Sequence, residues 1–520
     1  MPRPPASTIS RAALILVMAA AIAAGALPAG LARADTTFRF YGSGYGHQIG
    51  MSQWGAYGMA RAGKSGTQIL KHFYRGTSVA RPSSRPSTIR VGLVQGAGGI
   101  GVKGAGGSVS LRVGGPSRSV VARIPSGSTW TVQVRSGAYW IRRSDGSYVG
   151  RRGYGGSGSH LFATYGSSGA YLPSTGHTYG HGWIEFNIYR PCGSCSSRLR
   201  AVNTVGMQGY LYGLGEVPSL WPSAALRAQA VAGRTYAYYK ILTSGQRRAI
   251  CNCAVYASTR DQVYVGVDKV RSTGGGRWRD AVDATNGLAV IKDGKPILAV
   301  YSSSSGGHTE NVENVWGGSA LSYLRGVCDR WVYNADPNRT WTASFSGASI
   351  GNALQRATGK DIGEARRFSS VSRGVSGAIV KVTVGGTSGS VTVSGSTLRT
   401  ALGLKSTRVW INQNRNIVGK VRTKYDSLNC APRLPRSGLR EIKGGQYQAF
   451  RVGRIYVNDA VGRAHWIHGP VLAKYRKLGG HGSSLGLPTS DVVKFDSVRV
   501  RARFQRGTIT CNKSTGNCTT

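Results

Sequence analysis

Carboxylates are scarce in this 520-residue chain, with 20 Asp and Glu against 67 Lys and Arg, so the position of each acid is informative. From Thr36 through Gly215 only Asp145 and Glu185 occur, and the next acid is Glu216, in Tyr210-Leu-Tyr-Gly-Leu-Gly-Glu216-Val-Pro-Ser-Leu-Trp-Pro222. A carboxyl in a tight Gly/Pro loop among aromatics, just ahead of a helix, has the setting of a general acid. Desolvation by Trp221, Tyr210 or Tyr212 would raise its pKa, while a helix N-terminus or an arginine would lower it. The plain alternative is a surface carboxyl paired to Arg234 or Arg227. A second cluster, Tyr301-Ser-Ser-Ser-Ser-Gly-Gly-His308-Thr-Glu310-Asn311, follows an apolar stretch and precedes Val315-Trp316, which favours an ordered polar loop over a flexible linker. Its hydroxyls and imidazole could hydrogen-bond sugar hydroxyls. The third is Gly42-Ser-Gly-Tyr-Gly-His47-Gln-Ile-Gly-Met-Ser-Gln53-Trp-Gly-Ala56, whose glycines place His47 and Gln53 on a tight turn. It lacks the lysine and the strand–helix context of a phosphate-binding loop.

These residues need a scaffold, and the pattern predicts an α+β protein. Residues 38–77 form a Gly/aromatic block, and 78–200 is Gly/Ser/Arg-rich with alternating runs at 88–93, 108–113 and 129–134, which read as half-buried strands. From 201 to 415 the pattern is mixed. Ser223 is the expected N-cap of a helix from Ala224 to about Lys240, with Ala225, Leu226, Gln229, Ala230, Gly233 and Tyr236 on one small face suited to packing on a sheet. A hairpin is expected across Asp293-Gly294, and strands at 378–383 and 389–393. Residues 416–440, basic and proline-containing, read as a linker. Beyond them Phe450-x-x-Gly453-x-Ile455 recurs as Phe504-x-x-Gly507-x-Ile509, so 441–520 reads as a small repeat module. The fold class is thus a β-rich multidomain α+β core, with a helix following the Glu216 loop, and a C-terminal repeat module.

The net charge of +47 implies a polyanionic partner, and compartment must decide which. Arg3 and Arg11, an apolar run from Ala12 to about Leu27 and Ala32-Arg33-Ala34 read as a secretory signal peptide over residues 1–34. Cleavage would remove three arginines and no acids, taking the charge from +47 to +44. Export argues against nucleic acid, and no nucleic-acid-binding motif argues for it. No integral span is expected after cleavage. Eight cysteines in an exported chain favour disulfides, with Cys511 and Cys518 the easiest local pair. Cys192, Cys195, Cys251 and Cys253 could instead form a four-thiolate zinc site, which the Cys251-Asn-Cys253 spacing disfavours. No metal or other cofactor is expected in the site.

Together the three clusters resemble the stage II sporulation protein D / LytB family of bacterial wall proteins. Gly44-Tyr-Gly-His-Gln-Ile-Gly-Met-Ser-Gln-Trp-Gly-Ala56 is similar to its G-x-G-H-G-x-G-M-S-Q-x-G-A signature, with Gln48 where the family commonly has glycine. Tyr210-Leu-Tyr-Gly213, Glu216-Val-Pro-Ser-Leu-Trp-Pro222 and Ala225-Leu-Arg-Ala-Gln-Ala-Val-Ala-Gly-Arg-Thr-Tyr236 resemble its central block, with Val217 for Met and Ala224 for a frequent acid. Tyr301 through Glu310 and Leu398-Arg-Thr-Ala-Leu-Gly-Leu-Lys-Ser406 resemble two more, so the resemblance covers roughly 38–410. It implies a lytic transglycosylase acting on peptidoglycan glycan strands, preferably stripped of stem peptides. Glu216 matches the catalytic glutamate. His47, Gln53, Gln229, Arg234, Tyr301, Ser302, Ser303, Ser304, His308, Thr309 and Glu310 are the expected substrate-binding residues. Ordinary glycosidases use two carboxylates, for which Glu310 and Glu313 are the nearest second candidates by motif. A transglycosylase can manage with Glu216 alone. The rival is a non-catalytic wall-binding enhancer of an amidase. The repeat resembles LGFP repeats, implying wall binding. The expected partners are therefore glycan strands, anionic wall polymers and a wall amidase, for a secreted, wall-associated protein.

Overall fold

The structure is a computed structural model that describes residues 36–156, 158–332 and 336–520. The leader expected over 1–34 lies outside the described residues.

The amino-terminal block is held by segments far along the chain. Strand Thr37–Gly42 alternates exposed and buried residues and sits in the middle of a three-stranded sheet, antiparallel to Trp341–Ser346 on one side and Val409–Ile411 on the other. Phe38 and Phe40 thereby enter a core with Ile350, Leu354, Val382 and Val384. Met51-Ser52 pairs in parallel with Tyr301-Ser302, and single bridges join Tyr45 to Ser304 and Ile49 to Glu310. The second and third sequence clusters therefore form one wall.

The predicted strands of the β-rich part are present as Thr88–Ala97, Val109–Val113 and Thr129–Arg135. The first two belong to a seven-stranded sheet, the third to a five-stranded one. Ile100, Val102, Val132 and Ile141 of the smaller sheet and Val109, Leu111, Ile124 and Leu161 of the larger share the main core. The hairpin Ala289–Lys292/Lys295–Pro296 turns through Asp293 and Gly294, both at positive φ, as a two-residue hairpin of this twist requires.

The helix after Glu216 runs Ser223–Ser244, one residue earlier than predicted: Pro222 occupies the cap position and no side chain caps the helix. The expectation of a single small face against a sheet is also corrected. The helix packs against helices Gln53–Arg61, Gly66–Phe73 and Gly275–Asp283 as well as strand Ala289–Lys292. Contact on several sides requires small residues all round, and Ala228, Ala230, Val231, Ala232, Gly233 and Ala237 are all buried.

The linker reading of 416–440 is corrected as well. Helix Gly419–Ser427 buries Val421 and Tyr425 in a core with Phe450, Ile455 and Val457. Its counterpart is helix Gly469–Lys477, which buries Val471 and Tyr475 under Phe504 and Ile509. Gly419 and Gly469 open the two helices at φ 57° and 58°, and Pro435 bridges Phe450 as Pro488 bridges Phe504. The duplicated unit is thus a helix plus a four-stranded antiparallel sheet, beginning near Gly419. All eight cysteines pair: Cys192–Cys195, Cys251–Cys253 and Cys511–Cys518 locally, and Cys328–Cys430 between the main core and the first repeat helix. No thiolate is left for the four-cysteine zinc site.

Candidate active site

Glu216 is fixed by backbone pairing. Gly215 N–H donates to the Val263 carbonyl at 2.9 Å and Val265 N–H to that of Gly213 at 2.8 Å, so the loop lies along segment 263–265 like a short strand. Val263 N–H then donates to Glu216 Oε1 at 2.7 Å. Glycine at 213 is required, since a Cβ there would lie 2.4 Å from the Tyr264 ring. Trp221, two residues before helix Ser223–Ser244, is buried against Trp54 and Tyr57.

Burial pushes the Glu216 carboxyl up to about 7, against the Val263 N–H, the Tyr301 hydroxyl and the Lys269 ammonium, which favour its ionised form. Lys269 donates to the Val217 carbonyl and is itself pushed down to about 8 by burial. Behind the carboxyl runs a hydrogen-bond chain with a fixed direction. Tyr210 Oη donates to Gln262 Oε1 at 2.8 Å, and Gln262 Nε2 donates to Tyr301 Oη at 2.8 Å. The Tyr301 proton is thereby left for Glu216. Tyr212, by contrast, points to Asp283 and does not cover the carboxyl.

Glu216 opens onto a cleft of about 580 Å³ whose walls include His47, Gln53, Tyr236, Tyr301, Ser302 and Ser303. Gln53 Nε2 donates to the Glu216 carbonyl and to Gln229 Oε1, both at 3.3 Å, so Gln229 supports the site from beneath. His47 Nδ1 accepts from Ile49 N–H at 3.0 Å. Burial, then the Arg399 charge, push its pKa down to about 4, so His47 is a neutral hydrogen-bonding wall and cannot serve as an acid near neutrality. Its ring lies 5.0 Å from that of Trp316.

Five predicted site residues do other work. Arg234 is 1% exposed and donates to the carbonyls of Thr285, Leu288 and Val282, closing the C-terminal end of helix Gly275–Asp283; it touches neither cleft nor Glu216. Ser304 donates to Asp336 at 2.5 Å. His308 bonds the Thr309 carbonyl through Nδ1 and Thr309 Oγ1 accepts from Val327 N–H. Glu310 is buried and accepts from Asn311, Asn314, Val375 and Ser376, fastening the loop to turn 374–377. Neither it nor Glu313, which pairs with Arg325, is a second carboxylate for the cleft. That place is taken by Asp261, which the sequence reading did not single out. Burial pushes its carboxyl up, but the Tyr236 hydroxyl (2.6 Å), Tyr256 N–H, Lys240 and Arg248 outweigh it and hold Asp261 below the usual range. Arg260, Trp316 and Arg399 also line the cleft and were not anticipated. Only the scarcity of acids could have flagged Asp261; Arg399 lies in the Leu398–Ser406 block and Trp316 beside the serine cluster, but nothing local marks either, or Arg260, as a cleft residue.

A cleft with one carboxyl poised near neutrality, a second held ionised and an aromatic, hydroxyl-rich wall has the groups that acid–base chemistry on a polar substrate requires. Residues 195–291 match the SpoIID family, described as stage II sporulation protein, and residues 435–483 match the LGFP repeat. Glu216 lies inside the first of these matches, and the second falls within the duplicated carboxy-terminal units. The chain is 29% identical over 181 residues to stage II sporulation protein D of Bacillus subtilis, covering 32% of this chain and 52% of the relative. It is 36% identical over 131 residues to the amidase enhancer of Bacillus subtilis (25% and 16%) and over 157 residues to an uncharacterized protein of Brachyspira hyodysenteriae (29% and 39%). The matches thus span about half or less of each of these relatives. They point to a cell-wall-related role. No described helix is long and apolar enough to cross a membrane.

Proposed function

We propose that the protein is a lytic transglycosylase of peptidoglycan glycan strands that uses Glu216 as its single acid and base. The observation that carries this reading is the position of Glu216: in a cleft, desolvated, hydrogen-bonded by Tyr301, and protonated up to about neutral pH. Protonated Glu216 donates to the glycosidic oxygen as the bond from C1 breaks. The resulting carboxylate, stabilised by Val263 N–H and the Tyr301 hydroxyl, takes the proton of the muramyl C6 hydroxyl, whose oxygen closes on C1. A 1,6-anhydro end forms, no water is consumed, and Glu216 returns to its protonated state. Ionised Asp261 adds negative potential opposite the positive charge that develops at C1. The LGFP-repeat module would hold the protein on the wall.

The test is digestion of peptide-free glycan read by mass spectrometry. Wild type is expected to release anhydromuramyl fragments and Glu216→Gln to lose that activity by at least a hundredfold while still binding walls. Reducing-end muramyl products from wild type would make it a hydrolase. The likeness to an amidase enhancer supports a second reading, a non-catalytic activator of a wall amidase. In that case purified protein leaves no cleared zone on walls alone, and Glu216→Gln stimulates an added amidase as well as wild type does.

A further inference from the structure

A second groove, of about 520 Å³, lies between strand Ala365–Arg373 and segment 410–415 and shares no wall residue with the Glu216 cleft. Its polar lining is dominated by Arg366, Arg367, Arg373 and Arg415, and no acid lines it. Arg366 is neutralised by Glu364, whereas no ion pair among the described residues engages Arg367, Arg373 or Arg415. The guanidinium of Arg373 lies 3.8 Å from the Trp410 ring centre and that of Arg415 5.1 Å from it, so one indole holds two like charges together. Arg373 is further fixed by its Nη1, which donates to the carbonyls of Gly377 (2.6 Å) and Val409 (2.9 Å), leaving Nε and Nη2 for a ligand. Burial and then the Arg415 charge push Arg373 down to about 9, a repulsion that a bound anion would relieve.

We propose that this groove is a specific binding site for an anionic polymer of sugar or polyol units bearing phosphodiester or carboxylate groups. Planar guanidiniums suit both anions bidentately. The volume is that of a ligand of one or two such units rather than a lone ion. Half-buried Phe368 gives an apolar wall for a carbon skeleton. Nucleic acid fits less well, because sequence-independent binding of single strands relies on open aromatic platforms and Trp410 is only 6% exposed under its arginines. The groove ends at the repeat module, where the Arg415 carbonyl accepts from Gln448. The site is independent of the proposed glycan-cleaving activity.

The experiment measures affinity of the full-length, disulfide-bonded protein for a glycerol-phosphate oligomer and for a uronic-acid oligosaccharide at 0.15 M salt. Arg367→Ala/Arg415→Ala is expected to weaken binding of one or both at least tenfold, with the oligomer that is lost naming the anion. The charge-matched pair Arg151→Ala/Arg152→Ala, on an exposed loop, is expected to change it less than twofold. Equal losses from the two pairs would reduce the attraction to diffuse charge and overturn the site. Tighter binding of a single-stranded oligonucleotide, lost with the same arginines, would overturn the ligand class. A readout that needs no variant is protection of Arg367 and Arg415 in wild-type protein from an arginine-selective reagent; reaction unaffected by saturating oligomer also overturns the proposal.

Discussion

Glu216 acts at the meeting point of opposing forces, and the balance has a consequence for stability as well as for chemistry. Its folded pKa of about 7 exceeds the ordinary 4.5, so between these values the folded chain binds more protons than the unfolded one. The stability this group contributes is fully present below about pH 4.5 and is lost as pH rises through about 7, when a desolvated carboxylate must form. Glu216→Gln keeps the shape and removes that ionisation. The variant is therefore expected to match wild type in thermal unfolding at pH 4 and to exceed it at pH 8, by up to about 3 kcal/mol. A variant no more stable than wild type at pH 8 would mean that the carboxyl is not desolvated, and the general-acid role would lose its basis. Asp261 shows the reverse arrangement in the same cleft: its partners hold it ionised, so it contributes charge and positions Tyr236 but has no proton to give near neutrality.

At the scale of elements, the loop Tyr45–Gly50 must cross beneath strand Tyr301-Ser302, and Gln48 does so at φ 63°. Left-handed backbone costs a side-chain-bearing residue roughly 1 kcal/mol. Here the amide offsets it by donating to the carbonyls of Ser43 (3.2 Å) and Ser305 (2.9 Å). Gln48→Ala keeps the strain and loses both bonds, whereas Gln48→Gly loses the bonds and relieves the strain. Urea unfolding is expected to show the alanine variant less stable than the glycine variant by about 1 kcal/mol, and equal stabilities would refute the account. The same loop shows what the sequence could and could not convey. Glu216, Gln53, His47 and Tyr301 were legible because residue type and motif together marked them, and the strands because turn chemistry bounded them. Ser304, His308, Thr309 and Glu310 stand in the same motif but turn inward, a distinction set by the bridges to Tyr45, Ile49 and Cys328 that only the folded chain shows. Arg260, Asp261, Trp316 and Arg399 arrive from three separate segments, and even Arg399, which stands in the Leu398–Ser406 block, carries no local sign that it faces the cleft. The first repeat helix was hidden by the basic, proline-containing composition of 416–440 around it, since Val421 and Tyr425 are the only residues it buries.

At the scale of the whole molecule, one disulfide among the described residues ties the main core to the repeat module. Cys328 lies in the loop after the serine cluster and Cys430 just beyond helix Gly419–Ser427, 102 residues apart in sequence. Around them, the guanidinium of Arg422 packs against Gly307 and the Asn416 side-chain amide donates to the Gly42 carbonyl at 3.2 Å, so the first repeat helix and the segment leading into it are seated against the core by polar as well as covalent contacts. In the chain-entropy account, a link closing about 100 residues removes enough unfolded-state freedom to stabilise the fold by about 4–5 kcal/mol. Replacing both cysteines by serine is expected to lower stability by a sizeable fraction of that amount. The loss should be local: amide exchange should quicken first in Gly419–Ser427 and in 326–330, while the Glu216 loop, held by its ladder to 263–265, stays protected. On the function proposed above, glycan cleavage would then survive at temperatures where wall retention by the loosened module fails. If exchange quickened equally around Glu216, the two parts would form one cooperative unit, and the disulfide would act on the cleft itself rather than on the attachment of the module.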